Sequence, residues 1–215
     1  MSYFLSFILL ITTITCQAYT FDIGLGAFQN HTDKRVTRTV DYKPWSGIGY
    51  VNIENTLFSN FNGHAYFEST LDRHTMRNGE NVNYQDLSLS INSSTQYDKL
   101  SVKPSIGIGV VNRKNQSSNQ IKKQPYSPIE LNMGLNFNSD TSMRLMSGYD
   151  FFFFYPHSNH AKGFKNIKGR FHIGNRLTYK SAFIQASYNY STFKSHIGYN
   201  GPNTRGIKLS LGYSY

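Results

Sequence analysis

Large apolar residues alternate with small or polar residues along most of the chain, and this period of two predicts β-strands. In the last segment, RGIKLSLGYSY, every second residue from Ile207 to Tyr215 is large and apolar, and Lys, Ser or Gly stands between them. The same alternation occurs in TFDIGLGAF, LSVKPSIGIGV, IELNMGLNF and FHIGNRLTY. Helical spacing fits none of these segments.

The less apolar face of each strand indicates the fold class. A soluble sheet exposes a face rich in Lys, Glu and Thr, but this face carries many glycines and isolated charges of both signs. Glycine weakens an exposed strand, whereas inside a narrow barrel it leaves room for long side chains of neighbouring strands. Strands with an apolar outer face, a polar inner face and aromatic rims are typical of a transmembrane β-barrel. The sequence therefore predicts an all-β fold, an antiparallel transmembrane β-barrel.

The lengths of the connections agree with a barrel of about ten strands. Long links follow the first, fifth, seventh and ninth strands, whereas NSD and KS are short turns, the asymmetry expected between outer loops and periplasmic turns. SGIGYVNIE and GHAYFESTL mix apolar residues on both faces, so a barrel of eight strands is the alternative. The predicted strands lie near residues 19–28, 45–54, 62–72, 82–92, 98–110, 127–138, 141–154, 167–179, 181–190 and 205–215.

The first residues predict export from the cytoplasm. FLSFILLITTIT is too short to span a bilayer as a helix, which needs about 20 residues, but it resembles the apolar core of a signal peptide, with Ala18 at the cleavage position. No Lys or Arg precedes this core, and a buried N-terminal strand is the alternative. We therefore predict a signal peptide over residues 1–18 and a barrel over residues 19–215.

Composition and charge refine the prediction. Aromatic residues make up 15% of the chain and charged residues 16%, below the roughly 25% of charged residues in globular domains. Tyr and Phe suit strands and membrane interfaces. The formal net charge of +10 raises the question of where the excess positive charge lies.

The whole pattern resembles that of small bacterial outer-membrane β-barrel proteins. The resemblance covers the mature chain as a pattern of strands and implies a location in the bacterial outer membrane. We expect the protein to be a monomer. Most such proteins end on a Phe in an alternating last strand, a feature that resembles the signal read by the barrel-assembly machinery. Tyr215 holds that position here and is the predicted assembly signal.

The polar face of the predicted strands supplies a set of candidate lumen residues. Because buried charges are costly unless they are paired, we expect these side chains to form ion pairs with one another, and a polar conduit for a small solute is the alternative. A ten-stranded barrel is close to the size whose interior is filled by side chains. The predicted lumen residues are Asp22, His64, Glu68, Asp86, Lys103, Glu130, Arg144, Asp150, His172, Arg176 and Lys208.

Basic residues concentrate in the predicted outer loops. Lys and Arg clusters at that depth can pair with the phosphates of lipopolysaccharide, and similar contacts could serve adhesion. Solvated loops without a ligand are the alternative, and nucleic acid is not an expected partner of a membrane barrel. The candidate anion-binding residues are Lys34, Arg35, Arg38, Arg113, Lys114, Lys122, Lys123, Lys162 and Lys165.

Two segments bear on whether the protein is an enzyme. PHSNH resembles the His and Ser of outer-membrane lipid A deacylases, but His157 and Ser158 are adjacent and point to opposite sides of a strand. In AFIQASYN, Ala186 and Tyr188 hold the positions of the family's His and Ser. We predict no catalytic residue, metal or cofactor.

In YDFFFFYP, the aromatic run predicts a membrane girdle. A hydrophobic patch in the barrel mouth that binds an apolar ligand is the alternative.

The predicted function is therefore a surface role in adhesion or envelope interaction. The alternatives are a narrow channel for a small solute and an enzyme that modifies lipid A.

Overall fold

The computed structural model describes residues 19–32, 45–58, 60–71, 74–75, 81–115, 121–153, 166–194 and 204–215. The predicted signal peptide, residues 1–18, lies outside the described residues. Among those described, no helix is long and apolar enough to cross a membrane.

Ten long antiparallel strands form one closed barrel. Each strand pairs with the next along the chain, and the last pairs with the first through a register that sets Ile23 beside Tyr213. Closure gives each strand a hydrogen-bonded neighbour on both sides, as a sheet in lipid requires. The strands are β1 (Tyr19–Thr32), β2 (Trp45–Phe58), β3 (Phe61–Thr70), β4 (Asn81–Ser93), β5 (Leu100–Asn115), β6 (Ile121–Asn136), β7 (Thr141–Phe152), β8 (Asn166–Tyr179), β9 (Ala182–Lys194) and β10 (Thr204–Ser214).

The prediction of an antiparallel barrel of about ten strands is confirmed, and the alternative of eight strands is wrong. Both irregular segments form complete strands, β2 and β3, which pair with each other from Ile48↔Thr70 to Phe58↔Phe61. Two short segments, His74–Thr75 and Thr95–Tyr97, extend the pairing beside β4 and β5. We call the end with the short turns the periplasmic end and the opposite end the outer end, following the asymmetry of such barrels.

β5 and β6 extend farther toward the outer end than the sequence predicted. The segment from Asn112 to Pro125 looked like a loop because it is polar, but most of it continues the antiparallel ladder, with Val111 beside Gln124 and Lys114 beside Ile121. On these extensions the outward-facing Lys114 and Lys123 are exposed, whereas the inward-facing Arg113 and Gln124 are buried.

Large apolar side chains cover the outside of the barrel. Leu25 is 63% exposed, Ile108 68% and Leu211 63%, an arrangement that a soluble protein avoids and that lipid contact explains. Aromatic residues lie at both ends of this apolar band, as the membrane interfaces favour. The exposed aromatic residues of the described chain are Phe58, Phe61, Tyr97, Phe137, Tyr179, Tyr213 and Tyr215 at the periplasmic end, Trp45, Tyr149, Phe151, Phe153 and Phe171 at the outer end, and Tyr188 between them.

The phenylalanine run divides between the two faces of β7. Phe151 is exposed and belongs to the outer aromatic belt, whereas Phe152 is buried inside the barrel. There it packs on Tyr126, with a ring-centroid distance of 5.1 Å, in a cluster that also contains Val111 and Ile167. The run therefore contributes both to the girdle and to an apolar cluster in the outer half of the lumen.

Glycines on the inner face make room for aromatic rings. A Cβ atom on Gly24 would overlap the ring of Tyr50, and one on Gly109 would overlap the ring of Tyr126. Both rings are buried, with exposed fractions of 5% and 2%. The sequence argument that inner glycines accommodate neighbouring side chains thus holds at these positions.

We expect Gly109→Ala to lower the free energy of unfolding by about 1–3 kcal/mol, because overpacking forces Tyr126 or the backbone to move. Gly49→Ala is the control, since its Cβ would meet only the flexible ends of Leu71, at 3.3 Å, and Leu25, at 3.6 Å. Urea unfolding in detergent, followed by the fluorescence of the single tryptophan, measures both. Equal stabilities of the two variants would contradict the close packing at Gly109.

Candidate functional site

The lumen contains a cavity of about 270 Å³ whose walls combine charged, polar and aromatic side chains. It exists because the inner faces of the strands carry polar residues, in register from strand to strand. All the predicted lumen residues lie on this inner face: Asp22, His64, Glu68, Asp86, Lys103, Glu130, Arg144, Asp150, His172, Arg176 and Lys208. Most of them form pairs that cross the lumen.

Arg170 is the centre of the largest cluster, although the sequence analysis did not select it. From β8 its Nε donates a hydrogen bond to Asp150 at 2.5 Å, and its Nη2 donates to Asp86 at 2.7 Å. Its Nη1 donates to the hydroxyl of Tyr84. Because β4 is four strands away from β8 in the barrel, Arg170 connects nearly opposite walls.

Two tyrosines complete the coordination of Asp86. Tyr126 donates to one carboxylate oxygen at 2.6 Å, and Tyr84 donates to the other at 2.7 Å. Asp86 and Asp150 are 3% and 1% exposed, so their charges depend on these partners. The guanidinium of Arg170 also lies 5.3 Å from the ring centroid of Tyr126. The cluster joins four strands in the outer half of the lumen.

A second pair connects β8 to β1 near the periplasmic end. Arg176 holds Asp22 with two hydrogen bonds, 2.6 Å from Nη1 and 3.2 Å from Nη2, the bidentate geometry that suits guanidinium and carboxylate. Asn52 donates to the same carboxylate at 3.1 Å. One face of the guanidinium covers the ring of Phe183, at 3.7 Å from the centroid.

Two lysines make further ion pairs across the lumen. Lys103 of β5 reaches Glu54 of β2 at 3.1 Å, and Glu54 also accepts a hydrogen bond from Asn92 at 3.2 Å. Lys208 of β10 contacts Glu68 of β3. Glu54 is another lumen residue that the sequence analysis missed.

The lumen histidines have separate partners. Nε2 of His172 lies 3.5 Å from Glu130, and Nδ1 of His64 lies 3.1 Å from the hydroxyl of Ser90. Within the described part of the chain, no three His, Cys, Asp or Glu side chains converge as metal ligands would.

The prediction that Arg113 belongs to an outer loop is wrong. Arg113 lies in β5, and its side chain is 5% exposed. Its Nη2 donates to Gln124 at 3.4 Å, and Gln124 exchanges hydrogen bonds with the backbone of Ile167. The physical reason is the continued alternation of β5, which turns residue 113 to the same side as buried Val111.

The remaining candidate anion-binding residues fall into two groups. Lys114 and Lys123 are exposed on neighbouring strands, and Lys122 lies within β6. All three lysines thus belong to strands, and their prediction as loop residues is wrong. Outside the described residues lie Lys34, Arg35, Arg38, Lys162 and Lys165, together with His157 and Ser158.

The charges of the described lumen and periplasmic turns sum to zero. The lumen contains the acids Asp22, Glu54, Glu68, Asp86, Glu130 and Asp150 and the bases Lys103, Arg113, Arg144, Arg170, Arg176 and Lys208, six of each and a net charge of zero. At the periplasmic end, Asp98 and Asp140 balance Lys99 and Lys180.

All other charged residues lie, by their position in the sequence, at the remaining strand ends or in the connecting segments next to them, and of these only Lys114, Lys122, Lys123, Lys168, Lys194 and Arg205 are described. Together these positions hold 14 bases and 4 acids, and 14 − 4 = 10, the whole formal net charge. The acids are Asp33, Asp41, Asp72 and Glu80, and the bases are Lys34, Arg35, Arg38, Lys43, Arg73, Arg77, Lys114, Lys122, Lys123, Lys162, Lys165, Lys168, Lys194 and Arg205.

Solved structures of outer-membrane barrels are similar to this chain. The outer membrane protease OmpT from Escherichia coli has a TM-score of 0.53 at 11% identity, over 94% of this chain and 98% of that one. An outer membrane channel from Pseudomonas putida F1 gives 0.47 at 9% identity, over 94% and 97%. Ail, the attachment invasion locus protein of Yersinia pestis, gives 0.39 at 12% identity, over 92% and 99%.

No protein-family model matches the sequence, and no curated protein matches it. The likeness to OmpT shows the fold, and an identity of 11% supports no statement about activity. With its closed strands, apolar exterior and aromatic belts, the chain has the fold of bacterial outer-membrane β-barrels.

Proposed function

We propose that the protein acts at the cell surface, where its basic outer end binds phosphate-bearing polymers of the envelope, lipopolysaccharide first among them. The observation that carries this proposal is the charge distribution. The described charges of the lumen and of the periplasmic turns each sum to zero, and the net charge of +10 comes, by position in the sequence, from the strand ends and connecting segments of the opposite end. A charge held only for solubility has no reason to be segregated in this way.

The described strands support contacts with lipopolysaccharide at the rim. The 16 residues of β5 extend about 50 Å at ~3.3 Å per residue, which is about 40 Å along the axis at a tilt of about 40°. The apolar band of such barrels is about 25 Å tall, so the β5–β6 hairpin extends roughly 15 Å beyond it. Lys114, Lys123 and Lys168 are exposed at this level. Lysine ammonium groups there are suited to the phosphates of the outer leaflet.

Adhesion to another anionic surface would use the same charges and is the related form of the proposal. The narrow channel is the second candidate, favoured by the lumen cavity, but the ion pairs of Arg170, Arg176, Lys103 and Lys208 cross it from wall to wall. Conductance in planar bilayers distinguishes the two, and we expect it to stay near background. A lipid A enzyme would change the mass of lipid A on expression, and we expect no change.

We expect Lys114→Gln/Lys123→Gln to weaken the binding of purified lipopolysaccharide about thirtyfold, since each lost charge near an anionic surface is worth about 1 kcal/mol. The full mature chain, refolded in zwitterionic detergent and immobilised, is titrated with lipopolysaccharide at several salt concentrations. Lys99→Gln/Lys180→Gln, which removes two exposed charges at the periplasmic end, is the matched control and should bind like the unchanged protein.

Dephosphorylated lipopolysaccharide should bind the unchanged protein weakly and with little dependence on salt. Equal binding of the phosphorylated and dephosphorylated forms, or equal losses in the two double variants, would rule out phosphate recognition at the outer end.

A further inference from the structure

Arg144 differs from Arg176, Lys103 and Lys208 in having no carboxylate of the described chain within ion-pair distance, although Asp22 and Glu54 attract its charge from farther away. Within the described part of the barrel, each lumen acid already has a basic neighbour: Asp22 pairs with Arg176, Glu54 with Lys103, Glu68 with Lys208, Glu130 with His172, and Asp86 and Asp150 with Arg170. Arg144 lines the same cavity and makes no hydrogen bond or ion pair with any described residue.

The neighbours of Arg144 on the adjoining strands make its charge more costly. The register sets it directly opposite Arg176 on β8, and like charges directly opposite each other in an antiparallel pair are destabilising. On its other side, β6 presents Gly134, which has no side chain to compensate the charge.

Arg176 supplies an independent sign of a missing acceptor. Its two terminal nitrogens hold Asp22, but its Nε is buried and has no hydrogen-bond partner. The residue is 7% exposed and lines the cavity. A buried N–H group without an acceptor is costly, and an anion beside Arg144 could accept from this Nε as well as from Arg144.

We propose that Arg144 and the Nε of Arg176 bind a small oxyanion, a carboxylate or a phosphate, in the periplasmic half of the lumen. Guanidinium groups present N–H donors in a planar fork that matches both anions. The cavity of about 270 Å³ has room for such a ligand. The site lies within the barrel and is separate from the surface recognition proposed above.

The test measures binding of inorganic phosphate and of acetate to the refolded full mature chain, by calorimetry and by the shift of thermal unfolding at constant ionic strength. One or both anions should bind in a saturable way and raise the unfolding temperature. Arg144→Gln should weaken that binding about tenfold to a hundredfold, the effect of losing a charge-assisted hydrogen bond. Arg144→Lys keeps the positive charge but lacks the planar guanidinium group. Its affinity for the anion should lie between those of the unchanged protein and of Arg144→Gln.

Two controls separate this site from other anion binding. Lys99→Gln removes one exposed charge at the periplasmic end, and Lys114→Gln/Lys123→Gln removes the outer charges; neither should change the affinity for phosphate or acetate. Without either anion, Arg144→Gln should unfold at the same temperature as the unchanged protein or a higher one, because the substitution relieves the repulsion from Arg176.

Absence of saturable binding of both anions to the unchanged protein would overturn the proposal. So would an Arg144→Gln variant that binds as tightly as the unchanged protein. Lys114→Gln/Lys123→Gln tests lipopolysaccharide binding at the outer end, and Arg144→Gln tests anion binding in the lumen. Either proposal can therefore be contradicted without the other.

Discussion

Replacing Arg170 by Ala is expected to lower the free energy of unfolding by about 3–5 kcal/mol. The substitution leaves the carboxylates of Asp86 and Asp150 buried without their cation, and removing one partner of a buried ion pair has a cost of this size. Both carboxylates are almost fully buried, and each accepts a hydrogen bond from Arg170. The measurement is urea unfolding in detergent micelles, followed by the fluorescence of the single tryptophan and by migration of unheated samples on a gel.

A compensated variant separates the lost ion pairs from the lost packing. In Arg170→Met/Asp86→Asn/Asp150→Asn no buried charge is left unpaired, and we expect most of the lost stability to return. Lys180→Ala removes an exposed cation at the periplasmic end and should change stability by less than about 1 kcal/mol. An Arg170→Ala variant as stable as Lys180→Ala would mean that the cluster does not hold the outer half of the lumen together.

A local irregularity in β8 explains why the hydrophobic pattern did not identify Arg170 as a lumen residue. The register shifts between Ile167 and Gly169, so the alternation read forward from buried Ile167 would place Arg170 outside. Read backward from Arg176 through His172, the same period of two places it inside, where the structure has it. The alternation of FHIGNRLTY, extended by one residue, thus places Arg170 inside, whereas Ile167 on the other side of the bulge gives the opposite assignment.

Glu54 and Arg113 were missed for a different reason. The rule of apolar residues outside and polar residues inside fails in β2, where Ile48 and Tyr50 are buried in the lumen, so the face that carries Glu54 could not be assigned. In β5 the polar residues beyond the apolar band were taken for a loop. Hydrophobic pattern indicates where lipid ends, whereas backbone pairing decides where a strand ends, and the two differ at the outer end of this barrel.

Fold and lumen could be predicted because one physical constraint acts on the whole chain. A strand in lipid must keep its backbone paired and its outer face apolar. This requirement produces the alternating pattern of apolar and polar residues from β1 to β10. No local sequence pattern predicts which lumen charge pairs with which. It depends on which strands face each other across the lumen, as in the pairs of Arg170 with Asp86 and of Arg176 with Asp22.

A single charge placed on the outer face tests the assignment of that face to lipid. We expect Leu89→Arg to lower the free energy of unfolding by about 2–4 kcal/mol, the cost of Arg near the midplane on the lipid face of a barrel. Leu89 is 54% exposed and lies beside Ala65 of β3 and Ile108 of β5, in the middle of the apolar band. The measurement is reversible urea unfolding in phospholipid vesicles, because a detergent micelle lacks the defined thickness of a bilayer.

Gln85→Arg is the matched control. Gln85 lies four residues away on the same strand and the same face, toward the outer end, and is also exposed. The same charge should cost about 0–1 kcal/mol there, because the cost of Arg falls steeply toward the interface. A soluble barrel would tolerate Arg equally at both positions, since each side chain would reach water. The difference between two variants of identical charge therefore measures depth in the bilayer directly, and equal stabilities would place the outer face in water.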